Sequence, residues 1–372
     1  MSQWESIEKL INQREFKRAE VLLAKLVRQA PTIETLEQAT LYRAKLRLLM
    51  GRANEALSLL TSVEPPLPIK DVPEHAELFA DIYFQRYELA IVGFADKADL
   101  QQAHDLYTHI LEHHPQYPNR GWVHYQLGRL LLISAQSLEA ESHFRQALFQ
   151  PSHIVTLTSF VYERLAYVAL YEHRNPMQAL TFIDKAIATY PANEPRPWVV
   201  QSLILKSKIC QYLDINQALM VAQEAHKLAT MRGSRMGRAL VAESWFTMAD
   251  LASRSRGREK EVIEYVLKFL QLSRSPLGVD VTWSRAHEML AESYFALKQY
   301  PQALASYQTM LDFNPYYPWL SAVRLRIAEC YFHMRQYHDA IRLCEELLLS
   351  DNESQESSRA RTLLDQALQA TL

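Results

Sequence analysis

Glycine is scarce in this sequence: the 372 residues include only 8 glycines, about 2% where globular proteins carry roughly 7%. This scarcity argues against β-sandwiches and barrels, which need many tight turns, and against glycine-lined nucleotide sites. The sequence also lacks any run of 18 apolar residues, and its start has no basic segment followed by an apolar one. We therefore expect a cytoplasmic protein without membrane insertion.

The net charge is also small, and cysteines are few. Lys and Arg number 40 against 42 Asp and Glu, a net charge of −2, so no whole-molecule field attracts nucleic acid. The three cysteines, Cys210, Cys330 and Cys344, form no CxxC pair. An odd number without that spacing favours buried thiols in a reducing compartment over a disulfide framework.

A degenerate internal repeat runs through nearly the whole chain. Segments of 17 residues share an alanine at the fifth position and a bulky apolar residue at the ninth, and most end in proline; five of them are Glu15–Pro31, Asp99–Pro115, Asn175–Pro191, Gln299–Pro315 and Gln336–Asn352. Nine copies follow, anchored at Ala19, Ala56, Ala103, Ala140, Ala179, Ala218, Val262, Ala303 and Ala340. A fixed repeat of this kind is typical of a solenoid.

Each copy is predicted to be two helices, A and B, joined by a tight turn. Apolar residues recur at i, i+3, i+4 and i+7 in both halves, and a small residue precedes the anchor by 12 or 13 positions, as Gly128 precedes Ala140 and Ala291 precedes Ala303. Helix axes approach closely only where short side chains face each other, so these pairs should mark the crossing of A and B. Prolines such as Pro151 end helix B.

This pattern resembles the tetratricopeptide repeat, with its small residues on both helices, an aromatic opening helix B and a closing proline. The resemblance implies an all-α fold, a right-handed α-solenoid of stacked antiparallel helix pairs, over residues 1–353. The segment 354–372 is expected to form a C-terminal capping helix. The anchors are 37 to 47 residues apart, more than the 34 of the family, and HEAT-like pairs are the alternative.

Candidate chemistry is sparse. His109 and His113 have i, i+4 spacing, but no third zinc ligand is evident, and a cation-favouring helix C-terminus explains them more simply. No nucleophile motif, P-loop or paired acid–base carboxylates occur, so we expect no enzyme activity, no cofactor and no metal. Two arginine clusters, at Arg232, Arg235, Arg238 and at Arg254, Arg256, Arg258 with Lys260, are expected to be solvated loops, so nucleic-acid binding is disfavoured.

The resemblance implies that A helices line a concave groove, where partners bind. Two positions per A helix, one turn apart, should face this groove. They predict an aromatic and basic wall followed by an acidic one, with the site residues Trp122, Tyr125, Arg129, Tyr167, Lys208, Asp250, Glu288, Glu292 and Glu329.

The expected function is a non-catalytic scaffold or adaptor that binds a protein or peptide segment. A peptide sensor that changes its superhelix on binding is the alternative, and a nucleic-acid binder is a weaker one. Exposed aromatic residues could also drive self-association.

Overall fold

All regular secondary structure in the described part of the chain is helical. The computed structural model describes residues 3–29, 32–64, 67–90, 95–192, 197–231, 237–273, 280–350 and 355–371. Arg232, Arg235 and the predicted boundary at 353 and 354 lie outside these ranges. None of the described helices combines the length and apolarity that crossing a bilayer requires.

The described residues form nineteen helices. They are α1 (Gln3–Asn12), α2 (Phe16–Gln29), α3 (Ile33–Leu49), α4 (Ala53–Thr61), α5 (Pro73–Leu89), α6 (Lys97–His113), α7 (Arg120–Ile133), α8 (Ser137–Ala147), α9 (Leu157–Tyr171), α10 (Pro176–Thr189), α11 (Pro197–Cys210), α12 (Ile215–Thr230), α13 (Arg238–Ser253), α14 (Glu259–Leu272), α15 (Val281–Ala296), α16 (Tyr300–Phe313), α17 (Leu320–His333), α18 (Tyr337–Ser350) and α19 (Gln355–Thr371).

The helices alternate as the sequence pattern predicts, with odd-numbered A helices and even-numbered B helices. Every anchor lies on a B helix, α2 to α18, and is buried. The strongest helix–helix contacts in the stack include α5 with α6, α7 with α8, α11 with α12 and α15 with α16, each an A helix with its own B helix. The prediction of about nine stacked helix pairs in an all-α fold is confirmed.

Local sequence sets the helix ends. Asp96, Asp214 and Asp280 cap α6, α12 and α15 by accepting a hydrogen bond from a backbone N–H of the first turn. Pro73 begins α5, where a missing N–H costs nothing.

Most of the described turns between A and B use a left-handed residue. Arg14, Ala135, Arg174, Lys298 and Arg335 have φ between 51° and 62°, and glycine fills the same role at Gly51 and Gly257. The turn geometry therefore recurs although glycine is mostly absent from it.

The A and B helices approach most closely at the predicted small residues. At Gly128 on α7, an added Cβ would lie 2.7 Å from the nearest ring carbon of Phe144 and 3.2 Å from the carbonyl oxygen of Ala140, both on α8. Phe144 is fully buried. The crossing predicted from Gly128 and Ala140 is thus present, and it has no room for a larger residue at position 128.

The chain divides into two compact units. Unit 1 comprises Met1–Arg174 with Ala188–Pro191, and unit 2 comprises Asn175–Ile187 with Ala192–Leu372. In unit 2, α19 packs against α17 and α18, and its Ala360 and Leu363 join Cys344 and Leu347 in one apolar cluster. This helix is the C-terminal cap that the sequence predicts.

Candidate functional site

In unit 1, the A helices α5 and α7 are joined through a carboxylate pair. Asp81 on α5 accepts hydrogen bonds from the Tyr107 hydroxyl (2.5 Å), the Gln126 amide (3.0 Å) and the Trp122 indole N–H (3.2 Å). Burial raises the pKa of Asp81, although these three donors oppose the shift. Trp122, predicted as a groove residue, therefore holds a fixed place beside a carboxylate that the sequence analysis did not single out.

Glu77 lies one turn before Asp81 on the same face of α5. Its carboxylate accepts from the Asn119 amide at 2.9 Å, and from the Tyr117 hydroxyl. Burial and the neighbouring Asp81 raise the pKa of Glu77 to about 8. Two partly buried carboxylates are thus held by neutral donors.

Arg129 is held in place rather than free. Its guanidinium pairs with Glu88 of α5, donates to the Gln126 side chain at 2.7 Å, and lies 4.9 Å from the centre of the Phe84 ring. A partner would meet a guanidinium whose orientation is already fixed.

Tyr125 and Tyr167 differ in exposure. Tyr125 is only 6% exposed, because its ring packs against Phe144 and Phe160, whereas Tyr167 on α9 is 39% exposed. The Tyr167 ring lies 4.5 Å from that of Tyr171, which is 44% exposed. An exposed aromatic pair therefore lies on α9, whereas Tyr125 of α7 is buried against rings of α8 and α9.

In unit 2, the predicted acidic residues belong to a network of ion pairs. Arg285 on α15 contacts Asp250 on α13 at 3.1 Å and Glu288 at 2.7 Å. Arg254 contacts the other oxygen of Asp250 at 2.8 Å. The Tyr317 hydroxyl donates to Glu288 at 2.6 Å.

The network continues along α15, α17 and α19. Glu292 accepts from the Tyr307 hydroxyl at 2.6 Å and pairs with Arg326 at 3.4 Å. Glu329 pairs with Arg326 at 2.9 Å and with Arg359 at 2.7 Å. Every predicted carboxylate of unit 2 thus has a guanidinium partner, so this surface is charged in both signs rather than acidic.

Lys208 lies on α11 and is paired more weakly. Its ammonium is 3.7 Å from Glu243 on α13, and both side chains are exposed. Glu243 also borders a cleft of about 540 Å³ whose apolar walls include Phe246 and Phe269.

Several partners of these carboxylates were not among the predicted site residues: Arg285, Arg326, Tyr107, Tyr117, Tyr307 and Tyr317. A usable signal was present, because Arg285 and Arg326 each lie three residues before a predicted glutamate. A second signal is a constant offset of 200 residues, which relates Tyr107 to Tyr307 and Tyr117 to Tyr317. In both places these two tyrosines donate to two carboxylates one turn apart on the preceding A helix.

Other motifs from the sequence have structural partners. His109 and His114 each place Nε2 within 3.1 Å of the Lys70 carbonyl oxygen, and the His113 ring stacks on that of His109. Cys330 and Cys344 are buried, and burial raises their pKa values to about 12 and about 11. Such thiols are poor nucleophiles.

This helical architecture is similar to that of known repeat proteins. A tetratricopeptide repeat family model matches residues 294–367. No curated protein matches the chain.

Three solved structures share the fold at low identity. The apo form of RapI is 12% identical with a TM-score of 0.59, covering 90% of this chain and 98% of RapI. The apo quorum sensor NprR from B. thuringiensis is 12% identical with a TM-score of 0.57, and the match covers 89% of this chain and 98% of NprR. A Rap protein complexed with Competence and Sporulation Factor is 13% identical with a TM-score of 0.50, covering 91% and 98%.

The matched segment runs from the end of α15 through most of α19, and its helix pairs have the same architecture as the earlier ones. Residues 294–367 are therefore tetratricopeptide repeats, and they belong to an array in which the described residues form nine helix pairs and a C-terminal helix.

Proposed function

We propose that the protein is a non-catalytic scaffold or adaptor, acting in the cytoplasm, that binds protein segments along the exposed faces of its A helices. The observation that carries this proposal is the exposed pair Tyr167 and Tyr171 on α9. Tyrosine rings provide a large contact area at a low cost in conformational entropy, and they are enriched among the residues that dominate binding energy.

Preorganised charge supports the same proposal. Long charged side chains normally lose entropy when a partner orders them, but here ion pairs already fix several of them. Such a surface selects partners by charge complementarity. The proposed contact residues are Trp122, Arg129 and Tyr167 in unit 1, with the buried Tyr125, and Lys208, Asp250, Glu288, Glu292 and Glu329 in unit 2.

Affinity capture from native lysate tests the proposal. The Tyr167→Ala/Tyr171→Ala variant should retain the circular dichroism spectrum of the wild type. Its affinity for a captured partner should fall at least about tenfold, which corresponds to a loss of about 1.4 kcal/mol of binding energy. Tyr212→Ala is the matched control, because Tyr212 is exposed but lies in the turn after α11. Equal capture by all three proteins would refute a role for the tyrosine pair.

Peptide sensing is the second candidate, and two structural neighbours favour it: one is a quorum sensor, and another is complexed with Competence and Sporulation Factor. A sensor of this kind should be stabilised by its peptide, by about 2.7 kcal/mol at a free concentration 100 times Kd. Thermal unfolding with short synthetic peptides measures this, and small-angle scattering shows whether the dimensions change.

Self-association through the exposed aromatic residues is part of the proposal. Sedimentation of the wild type and of Tyr167→Ala/Tyr171→Ala over a range of concentrations tests it. A concentration-dependent mass that the double variant lacks would assign the contact to α9.

A further inference from the structure

The two carboxylate sites, whose tyrosines are related by the offset of 200 residues, share the hydrogen bonds from these tyrosines but differ in the charged residues around them. In unit 2 the tyrosines hold Glu288 and Glu292, and each carboxylate also contacts a guanidinium, that of Arg285 or Arg326. In unit 1 the tyrosines hold Glu77 and Asp81 in the same order. In unit 2, the counterions of such a carboxylate pair are therefore arginine guanidinium groups.

Unit 1 lacks both of these arginines. Gln126 stands where the offset places Arg326, and it donates to Asp81 through a neutral amide. Three residues before the first carboxylate, where unit 2 has Arg285, unit 1 has Glu74. Two cations of one site are therefore replaced by an amide and a third carboxylate in the other.

No neighbouring cation compensates for this difference among the described residues. Ion pairs to Glu74, Glu77 or Asp81 are absent there, and Arg129 of α7, which attracts Asp81 from a distance, is paired with Glu88. Lys45 of α3 acts on Glu77 only as the weakest of the charges around it. The remaining groups at the site are neutral donors: Tyr107, Tyr117, Asn119, Trp122 and Gln126.

One edge of the site, at Glu74, is exposed. Glu77, Asp81 and Trp122 each keep part of their surface open to solvent. A guanidinium is planar and can donate to two carboxylates at once, as Arg285 does between Asp250 and Glu288.

We propose that Glu74, Glu77 and Asp81 bind an arginine side chain of the partner segment, in the place that the chain's own arginines fill in unit 2. This inference rests on the proposed scaffold function and names the chemistry of one contact. The guanidinium would lie beside the Trp122 indole, whose N–H already donates to Asp81.

Protonation links this contact to pH. With its pKa near 8, Glu77 keeps a proton at neutral pH in the empty site. A bound guanidinium favours the ionised carboxylate, so binding releases a proton, becomes tighter as the pH rises toward 8, and levels off above it. A site made of ordinary surface carboxylates has no pH dependence in this range.

The test uses the full chain, with the Trp122 indole N–H signal in a nitrogen-15 NMR spectrum, assigned with Trp122→Phe. The probe is Ac-Ala-Ala-Arg-Ala-Ala-NH2, titrated to about 10 mM, beside the same peptide with neutral citrulline. The arginine peptide should move the signal saturably and bind more tightly at higher pH, whereas the citrulline peptide should leave it in place.

Variants make the assignment specific. Gln126→Arg supplies the missing arginine, so it should abolish the response to the peptide, while Gln146→Arg, which adds the same charge on α8, should not. Because a new residue at position 126 can disturb folding, Glu74→Lys at an exposed position provides an independent arm and should weaken binding at least tenfold.

Equal responses to the two peptides, an unchanged response in Glu74→Lys, or no response at all would overturn the inference. None of these outcomes touches the dependence of partner capture on Tyr167 and Tyr171, so failure of this contact is distinguishable from failure of the scaffold function.

Discussion

Substituting alanine for Gly128 tests the closest helix crossing in unit 1. The added methyl group would lie 2.7 Å and 2.9 Å from two ring carbons of Phe144 and 3.2 Å from the carbonyl oxygen of Ala140, all inside the optimal carbon separation of about 3.5 Å or more. Phe144 is fully buried and has no solvent space to move into. Overpacking of this kind costs about 1–3 kcal/mol.

Helix propensity acts in the opposite direction. Replacing a helical glycine by alanine gains about 1 kcal/mol in an exposed helix. The balance is a net loss of about 1 kcal/mol, so the sign of the effect distinguishes packing from propensity. Urea unfolding followed by circular dichroism measures it, with unit 1 and unit 2 treated as separate transitions if the curve resolves them.

Two further variants sharpen this test. At the offset of 200 residues, the chain pairs Ala328 with Cys344, a larger residue on the A helix and a smaller one on the B helix. Gly128→Ala combined with Phe144→Cys should therefore lose less stability than the sum of the single changes, by about 1 kcal/mol. Gly237→Ala is the control for packing, since no described atom lies within 4 Å of its added Cβ; because Gly237 is the N-cap of α13, only a small capping loss, below about 1 kcal/mol, is expected there. An equally stable or more stable Gly128→Ala would refute the reasoning.

Three other predictions concern buried polar groups. Tyr107→Phe removes a donor from Asp81 and should lower the free energy of unfolding by about 2 kcal/mol, measured by urea unfolding. Because the pKa of Glu77 is raised to about 8, its folded-state stabilisation is complete below its ordinary pKa of 4.5 and is lost as pH rises through 8; the unfolding midpoint should fall over this range, and less so in Glu77→Gln. Cys330 and Cys344, with raised pKa values, should react with a thiol reagent only after unfolding, and fast labelling of the native protein would contradict their burial.

The repeat and its helix pairs were predictable because they depend on residues that nearly every copy keeps. An alanine at the crossing, such as Ala140 or Ala303, is required wherever two helix axes approach closely, so it recurs at a fixed place in the sequence. Its recurrence fixed the number of helix pairs without any knowledge of long-range contacts.

The sites were less predictable because their partners come from other helices. Tyr125 has the spacing of a groove residue, but Phe160 from the next A helix covers it. Glu292 is counted as an acidic residue in the sequence, although Arg326, more than thirty positions later, pairs with it. A pattern within one helix gives the face of a residue and leaves its neighbours on adjoining helices undetermined.

The left-handed turn residues bear on how this chain resists unfolding. A residue such as Ala135 or Arg335 has a strained backbone in its folded turn, which glycine would relieve by about 1 kcal/mol. Glycine, however, would also give the denatured chain more conformations to occupy. Because most of these turns use another residue, they keep torsional strain in the folded state. In return, the chain gains less conformational entropy when it unfolds.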